Sequence, residues 1–210
     1  MSLLPDLLKG YKRFYRKYFS WKRSIYTELA KGQSPKAVIV ACSDSRVDPA
    51  MITRAAPGDI FVVRNVANIV PNYNNVSSVH YGTGSALEFA VNKLNVSHVV
   101  VQGHSQCAGI EALYTDTQDS ELAMVSNWVS NSKEAREKVK KEYSNEPMEK
   151  QLEACGKEAL LISLEHLKTY PFIKERLDQG KITLHGWYFD LITGQMLDYN
   201  FEKKEFESLV

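Results

Sequence analysis

Long apolar runs are missing from this chain of 210 residues. Nothing approaches the ~20 consecutive apolar residues of a membrane-spanning helix, and Met1 to Gly10 lacks the apolar stretch and cleavage site of a secretory signal. These absences predict a cytoplasmic protein with no membrane span. Cysteine is scarce too: three residues, an odd number, argue against a disulfide framework and for metal or thiol chemistry. Charge of one sign is not in excess, and a net charge of +1 gives no steer towards nucleic acid. Internal repeats, low-complexity tracts and a convincing inter-domain linker are absent. With 44% hydrophobic and 24% charged residues, the chain is expected to be one domain, 1–210, with a substantial core.

The charge is unevenly spread. Residues 1–31 carry eight Lys or Arg against Asp6 and Glu28, a local balance of +6, which leaves −5 for the remainder. Leu7, Tyr11, Phe14, Tyr15, Tyr18 and Phe19 recur at helical spacing, so Leu3 to Lys31 is expected to form one or two helices with an aromatic stripe, stopped by Gly32. This 1–31 arm fits a helix docked on its own or a neighbouring subunit better than one lying on an anionic membrane.

The 33–210 part reads as an α/β core. Lys36–Ala41 and Val96–Gln102 are short β-branched runs, as expected of strands buried on both faces of a parallel sheet. Asp59 to Val63 predicts another strand, Asn72 to Ser78 a polar loop, and Gly82 to Leu94 a helix. Glu121 to Tyr170 reads as helical, broken at Pro147, and Ile182–Phe189 with Gln195–Phe201 as a terminal hairpin.

Cys42 and His104 stand just past the carboxyl ends of the two buried runs, where open α/β sheets collect ligands. Cys107 follows His104 by three residues, a spacing that lets both side chains face the same way. Cys42, His104 and Cys107 are therefore candidate zinc ligands, and the missing fourth ligand separates a catalytic site from a closed structural one. Asp44 and Arg46, beside Cys42, add a carboxylate with its own cation. Cys155, His80, His98, His166 and His185 read as structural, although an exposed histidine could help pass protons to buffer.

Three segments, Cys42-Ser-Asp-Ser-Arg-Val47, Pro57-Gly58-Asp59 with Phe61 to Asn68, and Gly103-His-Ser-Gln-Cys107, occur in an order that resembles the β-class carbonic anhydrases. The resemblance runs from about Gln33 to the terminal Gly186-Trp-Tyr-Phe-Asp hairpin. It implies a mostly parallel central sheet flanked by helices, with an amino-terminal helical arm that reaches across to a neighbour in a homodimer or larger homo-oligomer. It implies reversible hydration of carbon dioxide to bicarbonate, with one zinc ion per subunit on Cys42, His104 and Cys107 and with Asp44 and Arg46 as the catalytic dyad. Gln33, Phe61, Val66, Phe89 and Ala108 fall at substrate-pocket positions. Ile39 stands where the bicarbonate-regulated branch has tryptophan, so the plant-like branch is the closer match. Phe89 in place of tyrosine and Ala108 in place of glycine depart from the pattern and put rate and inhibitor preference in question.

The chemistry suits the residues. Zinc makes water a nucleophile near neutral pH, and two thiolates render its first sphere formally neutral, which predicts activity rising above neutrality. Two rival readings share the parts: hydrolysis of carbon disulfide or carbonyl sulfide, and a non-catalytic zinc- or bicarbonate-binding protein in which metal serves stability.

Overall fold

A computed structural model describes residues 3–75, 81–116 and 120–210. Six strands form a single sheet in the order β2-β1-β3-β4-β5-β6. They are β1 (Ala37–Cys42), β2 (Ile60–Asn65), β3 (His98–His104), β4 (Thr183–Phe189), β5 (Met196–Asn200) and β6 (Glu205–Ser208). Strands β1 to β4 run parallel, and β5 and β6 are antiparallel additions at one edge.

Helices occupy the crossovers. An arm of α1 (Leu3–Arg13), a π-helical turn over Phe14–Phe19 and α2 (Arg23–Leu29) precedes β1. Short α3 (Pro49–Thr53) links β1 to β2, and Asp48 caps it by accepting from the amides of Ala50 and Met51. Helix α4 (Gly82–Glu88), extended by a π-helical turn to Lys93, leads to β3. Helices α5 (Ala108–Thr115), α6 (Ala123–Val129), α7 (Lys133–Glu142), α8 (Met148–Leu167) and α9 (Pro171–Asp178) fill the connection to β4. Among the described residues, no helix is long and apolar enough to cross a membrane.

The β-branched runs of β1 and β3 are buried as their composition predicts: Val38, Val40, Val99 and Val101 are all fully inaccessible. They pack with Leu160, Leu164 and Leu167 of α8. The contact is close because β4 presents Gly186 there, where a Cβ would come within 2.9 Å of Leu160 and Leu164. Strand order places the topological switch between β1 and β3, since the chain leaves β1 for β2 on one side and then crosses to β3 on the other.

Several expectations are adjusted. Cys42 and His104 are the last residues of their strands rather than positions just beyond. The anticipated terminal hairpin is present as β4 and β5, but β4 also pairs in parallel with β3, and β6 extends the sheet further. Of the predicted 72–78 loop, Tyr73–Asn75 forms a 3-10 turn, and 76–78, like His80, lies outside the described residues.

Candidate metal and catalytic site

Three donor atoms meet at the switch point. The sulfurs of Cys42 and Cys107 and a ring nitrogen of His104 lie within 4.8 Å of one another, and all three residues are buried. Cys42 and His104 arrive on neighbouring strands, whereas Cys107 is the residue just before α5, in extended conformation. Gln106, at φ 54°, turns the chain so that His104 and Cys107 face the same centre.

The donor set suits a soft-to-borderline cation. The sulfurs are 3.8 Å apart, which matches the roughly 3.8 Å edge of a tetrahedron with ~2.3 Å metal–sulfur bonds. His104 Nδ1 lies 2.8 Å from the Ser105 carbonyl and donates to it, leaving the Nε2 lone pair directed inward. That Nε2 is buried and has no hydrogen-bond partner. A buried ring nitrogen without a partner is costly in a metal-free protein, and a metal ion satisfies it. The two sulfurs lie within hydrogen-bond reach of each other, and this coupling holds Cys42 below the usual thiol range and pushes Cys107 above it.

Asp44 lies beside the tripod, its Oδ2 3.9 Å from His104 Nε2. Arg46 grips this carboxylate at both oxygens, Nε to Oδ1 at 2.9 Å and Nη2 to Oδ2 at 2.7 Å, and its backbone amide adds a third bond. The guanidinium holds Asp44 well below the normal carboxylate range. Arg46 Nη2 also donates to the Gln106 carbonyl, 3.0 Å away, so the dyad is tied to the His104–Cys107 loop.

Arg64 and Asn65 lie just past the strand predicted over Asp59 to Val63 and are the last two residues of β2. In the fold, register sets Asn65 beside Cys42 and Arg64 beside Ala41. Arg64 donates to the carbonyls of Cys42 and Asp44 and to the Asp48 carboxylate, fastening the whole 42–48 loop. The Asn65 side chain bonds both the amide and the carbonyl of Ile69, clamping a loop in which Ala67 and Asn68 take positive φ. Trp128 Nε1 donates to the Val66 carbonyl at 2.8 Å. A basic residue and an amide at the carboxyl end of a predicted strand were the available signals.

The pocket positions divide into two groups. Val66 is half-buried against the cluster that contains Cys42 and Cys107, and Ala108, the exposed first residue of α5, follows Cys107. Phe61 and Phe89 face each other at 6.0 Å between ring centroids, but Phe61 pairs with Val38, ~13 Å down the strands from Cys42. Gln33 is exposed in the loop before β1, beside Leu29 and Gly58. Five strand residues, Ala37–Ala41, separate that end from Cys42, a span of ~16 Å. Within one chain, Gln33, Phe61 and Phe89 do not join the tripod.

Fold and site together define an α/β protein with a buried sulfur–imidazole tripod that could hold a metal at its topological switch. Residues 37–196 match the family model described as carbonic anhydrase. The chain is 34% identical to a carbonic anhydrase of Synechococcus elongatus over 92% of this chain and 71% of that one. It is 43% identical to the chloroplastic beta carbonic anhydrase 5 of Arabidopsis thaliana, over 85% of this chain and 57% of the relative. The solved β-carbonic anhydrase CcaA superimposes with a TM-score of 0.94 at 35% identity, covering 99% of this chain and all of that one. The chain belongs to the carbonic anhydrase family, in its β class.

Proposed function

We propose that this protein catalyses the reversible hydration of carbon dioxide to bicarbonate and a proton, with zinc held by Cys42, His104 and Cys107. The observation that carries this reading is a three-donor tripod with an orphaned His104 Nε2, flanked by a carboxylate already ionised. Zinc, when bound, supplies the Lewis acidity that makes water nucleophilic near neutral pH.

The chain's own residues then set direction and surroundings. Asp44, kept as a carboxylate by Arg46, is an acceptor only, so it takes a hydrogen bond from the attacking water and turns the remaining lone pair towards the substrate carbon. Arg46 is held in turn by the Gln106 carbonyl, and Arg64 fixes the backbone of Asp44. Val66 provides an apolar wall suited to a small, linear, uncharged substrate. Gln33, Phe61 and Phe89 are contributed by a second copy, because one chain holds them too far from its own tripod. The amide of Gln33 suits hydrogen bonding to a bicarbonate oxygen.

Stopped-flow hydration across pH, with zinc quantified in the same sample, tests this reading. Asp44→Asn keeps its zinc and loses hydration by about a hundredfold or more, the scale of a lost proton-handling group. Undiminished hydration in that variant removes Asp44 from the mechanism. Faster turnover of carbonyl sulfide than of carbon dioxide would reassign the substrate, and zinc retention with no turnover of either would leave a binding protein.

A further inference from the structure

At the far end of the sheet, two imidazoles and a hydroxyl converge outside the tripod. His98 opens β3, Thr183 opens β4, and His185 lies two residues further along β4. Register pairs His98 with Thr183 and Val100 with His185, so the three side chains stand on one face. His98 Nδ1 is 3.2 Å from His185 Nε2, and Thr183 Oγ1 is 2.8 Å from the first and 2.9 Å from the second.

The bridging of this near-equilateral triangle depends on tautomer: with one ring N–H turned inward, His98 donates to Thr183 Oγ1 and the hydroxyl to His185 Nε2, which leaves the 3.2 Å nitrogen–nitrogen edge without a proton. A neutral imidazole carries one N–H and one lone pair, and the threonine hydroxyl carries one proton for two ring nitrogens. With ring protons on the outward nitrogens, two lone pairs point at each other and only one edge is bridged. A cation between the nitrogens engages both at once. Two imidazoles at ~2.0–2.1 Å from one ion, at tetrahedral or square geometry, stand roughly 2.9–3.4 Å apart, and the observed 3.2 Å falls inside that interval.

The surroundings agree. His98 is exposed and His185 half-buried, so the pair is reachable from solvent. Asp198 on β5 faces Trp187, on the same side of β4 as His185, and its Oδ1 is buried with no hydrogen-bond partner. It brings negative charge to the neighbourhood. Burial and the facing His98 lower the pKa of His185, which favours the neutral, ligating form. His98 and His104 are the first and last residues of β3, ~20 Å apart, so this cluster is independent of the tripod.

We infer that His98 and His185, with Thr183 beside them, form a second metal site for borderline first-row divalent ions such as Cu²⁺, Ni²⁺ or Zn²⁺. The ligand set is one that imidazole-preferring ions select, with water completing the sphere. Titration of the zinc-loaded protein with Cu²⁺, followed by electron paramagnetic resonance and zinc analysis, tests it. One Cu²⁺ per subunit is expected, with splitting from two imidazole nitrogens and the tripod zinc retained. His98→Ala and His185→Gln each weaken that binding by more than about tenfold, as loss of one of two ligands requires, while carbon dioxide hydration is unchanged. A nitrogen-coupled signal that persists in both variants, no such signal in the wild type, or copper entering only with loss of zinc overturns the inference. None of these outcomes bears on carbon dioxide chemistry at the tripod, so the two readings fail separately.

Discussion

Arg64 shows how much of the site rests on a residue that never touches the donor atoms. Its guanidinium makes three bonds to the 42–48 loop, two of them to backbone carbonyls. A lysine cannot reproduce that planar fork. Arg64→Lys is therefore expected to lower stability by about 1.5–3 kcal/mol and to reduce hydration without changing KM or zinc content, because Asp44 loses its backbone anchor. Unchanged kcat in a fully metallated Arg64→Lys would remove it as a positioning residue. Cys155 behaves oppositely. It is fully buried on α8, and burial pushes its thiol up to about 12. At pH 8 it should resist alkylation in the folded protein, and Cys155→Ala should bind a full complement of zinc. Rapid labelling would mean that α8 opens. The inert character of Cys155 was legible from its helical context, whereas the role of Arg64 was hidden until register set β2 beside β1.

At the scale of elements, close approach of α5 to the 66–67 loop shapes the wall next to the tripod. Gly109 permits it: a Cβ there would stand 2.7 Å from Val66 Cγ1 and 3.0 Å from Ala67 Cβ. Gly109→Ala is expected to cost about 1–3 kcal/mol and to slow hydration by displacing Val66, as thermal melting and stopped-flow on the same preparation would register. A fully stable, fully active variant would show that the loop yields freely. The β4–β5 turn has its own fastening, Asp190, which accepts from the amides of Ile192 and Thr193 at 2.7 and 2.8 Å. Those amides hold its carboxyl below the usual range. A depressed folded pKa adds stability above the unfolded value of about 3.9, lost as pH falls through the folded value. Asp190→Ala should thus lower stability at pH 7 by about 1 kcal/mol and flatten its decline below about pH 4, measured by denaturant melts across pH. Element types followed from periodicity and punctuation, as with Pro147 before α8 and Pro171 at the start of α9. Strand β6 escaped notice because its Glu205–Ser208 segment is four residues long and lies at an exposed edge.

For the whole molecule, the arm is the unfinished part. Helices α1 and α2 and the π-helical turn between them contain no buried residue, and Leu4, Leu7, Leu8 and Tyr11 are each more than half exposed. An apolar stripe of that extent calls for a partner surface, and under the proposed function a second copy is the partner that would also complete the pocket. Sedimentation is expected to give a dimer or larger assembly at micromolar concentration. Leu4→Glu with Leu8→Glu should shift it towards smaller species and lower hydration per zinc together. A monomeric wild type with full activity would contradict this. By itself the sequence determined which residues could act: thiols, imidazole, carboxylate and guanidinium are chemical identities, and β-branched runs declare buried strands through their side-chain shape. Only the tertiary structure decided which of them meet, since register and strand order bring the donor atoms of Cys42, His104 and Cys107 within 4.8 Å of one another. The same geometry sends Gln33, Phe61 and Phe89 to the other end of the strands, because contacts between residues distant in sequence depend on how strands stack and not on any local pattern.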